Sequence, residues 1–337
     1  MSYESLIEWT QRTWNFLIGC TKKSKGCMHC YAIRVAWRLM HNPNPKIAAR
    51  YAGTVERDSS GKLNWTGRIN FDEEVLKHPL HWREPSLIFV NSLSDPFHKN
   101  VKQEWRDRMC AVMALCGRHT FQVLTKEPEA VLAYFADPET PDRIGDASYT
   151  DHDILLTGDP AGLSEDFVYL PWPMPNVWLG FSAEDQETFD RRWLYMKQLA
   201  ERGWTVFASL EPLLGPIVLP DDFLAFGARI QVIVGGESGP DARPMHPDWV
   251  RAIRMQCHTA GVPLFFKQWG GYIEAPAEER HGVLVELNGR HDAAHFQSIE
   301  ERTRYSEEGS ILMQHVGKKK AGRVLDGRTW DEYPFND

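Results

Sequence analysis

Eight short apolar runs recur along this 337-residue chain, and amphipathic stretches fill most of the gaps between them. The runs are TWNFLIG (13–19), RINF (68–71), SLIFVN (86–91), TFQVLT (120–125), NVWLGFS (176–182), WTVFASL (204–210), IQVIVGG (230–236) and VPLFFKQ (262–268). Apolar residues return at helical spacing over 31–40, 103–116, 127–136, 185–202 and 247–260. Strands that alternate with helices pair in parallel, because each helix carries the chain back to the end where the next strand starts. The expectation is therefore an α/β fold with a mostly parallel sheet. The helix at 247 is the best delimited, with Pro247 and Asp248 in its first turn and Gly261 at its end.

The residues that follow each strand narrow the fold further. They read NSLSDPFH, LTKEP, FSAEDQ, LEPLLGP, GGESGPDARPMH and KQWGG, and each puts small, charged or hydrogen-bonding groups just past an apolar run. In a (β/α) barrel all such positions share the C-terminal mouth, where the site is built. An open doubly wound sheet would confine its site to one crevice. Polar strand ends along most of the chain favour a full or partial (β/α) TIM-type barrel over residues 1–270. Residues 137–175 form an acidic, Pro/Gly-rich insertion, longer than an ordinary connection. Residues 271–337 break the rhythm and read as a C-terminal extension packed on the barrel.

Composition excludes several classes. Hydrophobic residues at 42% and charged residues at 25% are ordinary for a globular protein and argue against disorder. Most of the thirteen tryptophans are expected to pack the core, with a few left to line a large flat pocket. No apolar run is long enough to span a bilayer, and the N-terminus lacks the basic start and apolar core of a secretory signal. A cytoplasmic location follows, where thiols stay reduced and clustered cysteines bind metal more often than they pair. A net charge of −8 opposes a general nucleic-acid coat. It leaves room for local basic sites at Lys22, Lys23 and Lys25 and in GKKKAGR (317–323).

The segment GCTKKSKGCMHC (19–30) places Cys20, Cys27 and Cys30 within eleven positions, directly after the first strand and before the first helix. Three readings compete. Small buried hydrophobes fit poorly with the polar TKKSKG between the thiols. A structural zinc site wants four ligands, so Cys20 with His29, His41 or a distant cysteine would have to complete the Cys27/Cys30 pair. An iron–sulfur cluster on three thiolates would leave one iron without a protein ligand, an open position of the kind a catalytic metal needs. Cys110, Cys116 and Cys257 fall in expected helices and read as packing residues.

The loop, with Tyr31 directly after its last cysteine, resembles the radical S-adenosylmethionine superfamily, although its C-x6-C-x2-C spacing departs from the commoner C-x3-C-x2-C. Together with FVNSLSDPFH, LTKEP, SLEPLLGP, VGGESGPDARPMHPDWVR, FFKQWGG and GRTWDEYP, it resembles a phage-associated three-cysteine family of that superfamily, distantly similar to spore photoproduct lyase. The resemblance implies a radical S-adenosylmethionine barrel. In it Cys20, Cys27 and Cys30 hold a [4Fe–4S] cluster and S-adenosylmethionine chelates the fourth iron. Reductive cleavage of the cofactor would yield a 5′-deoxyadenosyl radical that abstracts hydrogen from a substrate, with electrons from a flavodoxin- or ferredoxin-type donor.

The resemblance points to Ser92, Ser94 and Asp95 for the methionyl amine and to Lys126 for the methionyl carboxylate or ribose. A turn role for Asp95 before Pro96 and a surface role for Lys126 stand beside those readings. A Gly-Gly-Glu run usually follows the second strand in such enzymes. Here it follows a late one, so Glu237 rests on its own chemistry, with Arg243 and His246 beside it and two glycines that permit close backbone approach to a ligand. Glu211 and Lys267 are weighed as cofactor and substrate contacts against an ion pair. The kinship suggests a nucleobase or nucleotide substrate in DNA modification or repair. A base must leave the duplex to be reached, which calls for stacking aromatics and a basic rim; Trp14, Trp269 and the lysine runs are the candidates. A peptide or small metabolite is the alternative substrate, and a zinc-stabilised phage binding or assembly module is the alternative class.

Overall fold

The computed structural model of the protein describes residues 5–150 and 171–335. Among the described residues seven strands form one sheet: β1 (Arg12–Trp14), β2 (Leu87–Val90), β3 (Thr120–Thr125), β4 (Val177–Ser182), β5 (Thr205–Leu210), β6 (Ile230–Gly235) and β7 (Leu264–Gln268). Their order in the sheet is their order in the chain, and β1–β2, β2–β3, β3–β4 and β6–β7 pair in parallel. Sequential parallel strands with helices between them make this a partial (β/α) barrel, as the alternation of runs predicts. Every residue of β4 and β6 is buried, as expected of parallel strands covered on both faces.

The expected first strand is divided. Only Arg12–Trp14 joins the main sheet, while Leu17–Ile18 pairs antiparallel with Asn70–Phe71 in a separate two-stranded ribbon. The break has a hydrogen-bonding cause. Asn91, in the left-handed region at φ 61°, donates its backbone N–H to the Trp14 carbonyl and takes the Leu17 N–H on its side chain. The main-chain ladder therefore stops between those residues. RINF (68–71) is thus not a strand of the partial barrel, which corrects the sequence reading.

By contact the chain divides into two compact units. The first comprises Met1–Lys23, Cys30–Phe181 and Leu194–Val206, and the second Ser24–His29, Ser182–Trp193 and Phe207–Asp337. In the first, helix α1 (Tyr31–Met40) buries Ala32, Ile33 and Ala36 against Ile18, Tyr51, Val55, Trp65 and Leu93. The aromatic packing of that unit includes Phe97, Tyr134, Phe135 and Trp204. Within the insertion, Thr140–Thr150 is helical, so its start is structured rather than a plain loop; residues 151–170 lie outside the described residues.

In the second unit, helix α2 (Pro247–Ala260) starts and stops where its sequence signals place it. His246 caps the start through the Asp248 N–H at 3.1 Å, and Gly261 ends the helix at φ 67°. The extension contributes a four-stranded antiparallel sheet of β8 (Tyr272–Glu274), β9 (His281–Val285), β10 (His291–His295) and β11 (Ile311–His315), in the order β8-β11-β9-β10. No helix among the described residues is long and apolar enough to cross a membrane.

Burial holds His78, His98, His119 and His246 below the ordinary imidazole value of 6.5. The folded chain then resists protons that the unfolded chain accepts. Stability from these groups is present above about pH 6.5 and falls as pH drops below it. A urea midpoint at about pH 5.5 that is clearly lower than at about pH 7.5 is the expected result, and an unchanged midpoint would contradict it.

Candidate functional site

In the first unit, Cys20 and Cys30 are half-buried and pack against the apolar cluster under α1, so each thiol sits at the edge of a core. The turn after β2 lies beside the start of the cysteine loop. Gly19 forms a parallel bridge with Ser94, and the Ser94 hydroxyl donates to the Gly19 carbonyl at 2.7 Å. The Ser92 hydroxyl donates to Asn15 at 3.1 Å, and the Tyr31 hydroxyl donates to the Ser92 carbonyl at 3.3 Å. Both serines thus brace the loop and the residue after its last cysteine.

Asp95 is buried, and its carboxylate is fully engaged. It accepts from the Thr125 hydroxyl at 2.7 Å, the Lys126 N–H at 2.8 Å and the Phe97 N–H at 2.9 Å. Burial pushes its carboxyl above the ordinary aspartate value, against the pull of those donors. Asp95 therefore ties the turn after β2 to the end of β3 and fixes the Lys126 backbone, joining two residues that the resemblance assigns to different ends of the cofactor. Lys23 in the cysteine loop pairs with Glu127 beside Lys126.

In the second unit, the short turn carrying Cys27 is fixed on both sides. Ser24 donates to Glu184 at 2.5 Å, and Lys25 Nζ lies 3.1 Å from Asp185. Glu184 has no exposed surface, and Arg192, 3% exposed, meets its other oxygen at 3.2 Å while donating to the Ser182 carbonyl at 2.6 Å. Gly26 lies over the same carboxylate, where a Cβ would fall 2.5 Å from a Glu184 oxygen. On the other side, Arg243 donates to the Lys25 carbonyl at 3.0 Å and makes a forked pair with Glu237 at 2.7 and 2.8 Å. His29 Nδ1 lies 3.1 Å from the same carboxylate. Burial alone would raise the Glu237 carboxyl, but the Arg243 and His29 bonds outweigh it and hold the group below its ordinary value. Cys27 is buried within this turn, with Ser24 Oγ 3.8 Å from its sulfur.

The sequence did not single out Ser24, Glu184, Asp185 or Arg192. The signal was present in FSAEDQ, the polar end of β4, but a buried partner for its carboxylates is a matter of tertiary packing.

Other expected site residues take structural partners. Lys267 Nζ meets Glu211 at 2.9 Å, so these two form the ion pair weighed against a cofactor role. Gly236 does permit a close approach, but to protein backbone: a Cβ there would lie 2.2 Å from the Trp269 carbonyl oxygen. Gly236→Ala should therefore cost about 2–4 kcal/mol by urea denaturation, since backbone on both sides must shift; a loss below about 0.5 kcal/mol would refute the contact.

His246 is fully buried as the α2 cap, and its Nε2 lies 3.1 Å from the Gly309 carbonyl. Trp14 is fully buried, donates to the Val75 carbonyl at 2.9 Å and packs against Phe16 and Phe121. Both side chains are thus buried and hydrogen-bonded within the fold. Trp269 is half-exposed, donates to the Val324 carbonyl at 2.8 Å, and lines a cavity of about 240 Å³ with Pro247, Arg251, Ile273, Glu274 and Ala321.

Cys110, Cys116 and Cys257 are buried, and burial pushes each thiol up to about 12, which leaves them inert at neutral pH. Among the described residues no group of three or more His, Cys, Asp or Glu could hold a single metal ion, which is the demand a zinc site makes. A [4Fe–4S] cluster makes a different demand, because each thiolate takes its own iron and the ligands stand apart. The donor chemistry of Cys20, Cys27 and Cys30 suits that demand: all three are thiols outside any disulfide.

The profile of the family described as "Protein of unknown function (DUF5131)" matches residues 4–334. No curated protein matches the chain. Among solved structures, "Spore photoproduct lyase complexed with dinucleoside spore photoproduct" is similar at a TM-score of 0.35 and 9% identity, covering 88% of this chain and 72% of that one.

Proposed function

We propose that this chain, which belongs to the family described as "Protein of unknown function (DUF5131)", is a radical S-adenosylmethionine enzyme acting on a nucleobase or nucleotide. One observation carries the reading: three cysteines outside any disulfide, at 20, 27 and 30, occupy the loop between the first strand segments and α1, with the Cys27 turn clamped at both flanks. Polar clamps of this density on an exposed lysine-rich loop are costly unless the loop must hold a fixed shape.

Cys20, Cys27 and Cys30 would hold a [4Fe–4S] cluster. When bound, the cluster and S-adenosylmethionine supply reductive sulfonium cleavage and a hydrogen-abstracting carbon radical. The chain's own part is positional. Glu184 and Arg192 fix the turn under Cys27 from one flank, and Glu237 and Arg243 fix it from the other. Asp95 sets the Lys126 backbone, and the resemblance assigns that lysine to the cofactor's carboxylate or ribose. The Trp269 cavity, with a flat ring beside Arg251 and Glu274, offers stacking and polar-edge contacts to a base. A role in phage DNA hypermodification or repair belongs to the same proposal.

The test is anaerobic reduction with dithionite in the presence of S-adenosylmethionine. The reconstituted protein should release 5′-deoxyadenosine, and Cys30→Ala should release none. Equal release by the variant would overturn the ligand assignment, and no release by either protein would overturn the reaction class.

A further inference from the structure

The extension carries a pair of histidines that nothing in the proposed chemistry uses. Strands β9 and β10 form a hairpin around Leu287, Asn288 and Gly289, with Gly289 at φ 96° making the turn. In this register His281 lies opposite His295, at the open end of the hairpin and away from the turn. The Phe296 N–H donates to the Arg280 carbonyl at 2.9 Å, so residues 280 and 296 are a hydrogen-bonded pair. Residues 281 and 295 are then a non-hydrogen-bonded pair, the kind in which facing side chains stand closest. Both imidazoles are exposed, their ring centroids are 4.2 Å apart, and their Nδ1 atoms are 2.6 Å apart.

We infer that His281 and His295 form a two-imidazole site for a divalent transition ion of borderline softness such as Zn²⁺, Ni²⁺ or Cu²⁺. At 2.6 Å one ring donates an Nδ1 hydrogen to the other, so both Nδ1 atoms already face a common point. If that hydrogen moves to Nε2, two neutral lone pairs remain directed there, the form in which histidine binds metal. With metal–nitrogen bonds of about 2.0–2.1 Å, two adjacent ligands on one ion stand about 2.9–3.4 Å apart. The rings need to open by only about half an ångström, which exposed side chains can do by rotation.

Other nearby groups are already committed. His291 lies against the Gly289 carbonyl, and Glu279 accepts the backbone N–H of Arg280 and His281. Among the described residues no third His, Cys, Asp or Glu joins the pair, so water would fill the other positions. Such an ion would staple the open end of the hairpin and secure β10, an edge strand of its sheet.

The experiment is hydrogen exchange on the metal-free full chain, with and without Zn²⁺, read on the amides of residues 282–294. The wild type should exchange at least about tenfold more slowly there with Zn²⁺ present, as expected for an ion that binds only the closed hairpin. The His281→Ala/His295→Ala chain should show no such change. Any response of the thiol loop to zinc appears in other peptides and is common to both proteins, so it does not confound the readout. If the alanine pair loosens the hairpin without metal, His281→Phe keeps an aromatic cross-strand contact and serves as the second variant. Unchanged hairpin exchange in the wild type, or equal protection in a variant of matched metal-free exchange, overturns the proposal.

Discussion

Arg192→Met is expected to lose about 3–5 kcal/mol of stability, because it leaves the Glu184 carboxylate buried without its charge partner. Glu184 has no exposed surface and also accepts from the Ser24 hydroxyl at 2.5 Å. Methionine roughly matches the volume of the lost side chain, so the effect measures charge rather than a cavity. The double variant Glu184→Met/Arg192→Met should recover most of the loss, since a buried pair replaced whole by apolar groups is close to neutral. It should not restore the Cys27 turn, because Ser24 then has no carboxylate to hold. Urea midpoints for the single and double variants, with amide exchange over residues 24–29, separate the two effects. A single variant within about 1 kcal/mol of wild type would show that the Glu184–Arg192 pair does not anchor this turn.

The second large effect concerns the thiols themselves. Cys30→Ala is expected to abolish cluster assembly, because a cluster on three thiolates that loses one retains too few protein ligands to stay bound. Stability should change little, by under about 1 kcal/mol, since Cys30 is half-buried at the edge of its apolar cluster. Cys110→Ala makes the opposite prediction. That thiol is fully buried, so its removal costs stability while leaving iron content unchanged. Iron content and urea midpoint measured on both variants give a crossed pattern that general misfolding cannot produce. Iron retained by Cys30→Ala would remove it from the ligand set.

The strand-helix alternation made the partial barrel legible, and the signals at Pro247 and Gly261 placed one helix correctly. The local pattern failed where tertiary hydrogen bonds prevailed. RINF carries strand residues, yet Asn91 intercepts the ladder between Trp14 and Leu17 and leaves Asn70–Phe71 in a side ribbon.

The cysteine spacing and the polar strand ends pointed to the candidate residues, while the partners of those residues were hidden. A sequence shows that Asp95, Glu237 and Gly236 are unusual at strand ends. It does not show that Asp95 is saturated by Thr125, Lys126 and Phe97, that Glu237 is claimed by Arg243 and His29, or that Gly236 faces the Trp269 carbonyl. Trp14 illustrates the same point: an aromatic near a site motif looks the same in sequence whether it stacks on a ligand or fills a core, and its burial against Phe16 and Phe121 is visible only in the fold.

The central claim is that the three-thiol loop holds an iron–sulfur cluster, and the direct measurement is iron and acid-labile sulfide in protein purified and reconstituted without oxygen. The account predicts a brown protein with about four irons and four sulfides per chain. A colourless protein with about one zinc and less than about one iron per chain would contradict it.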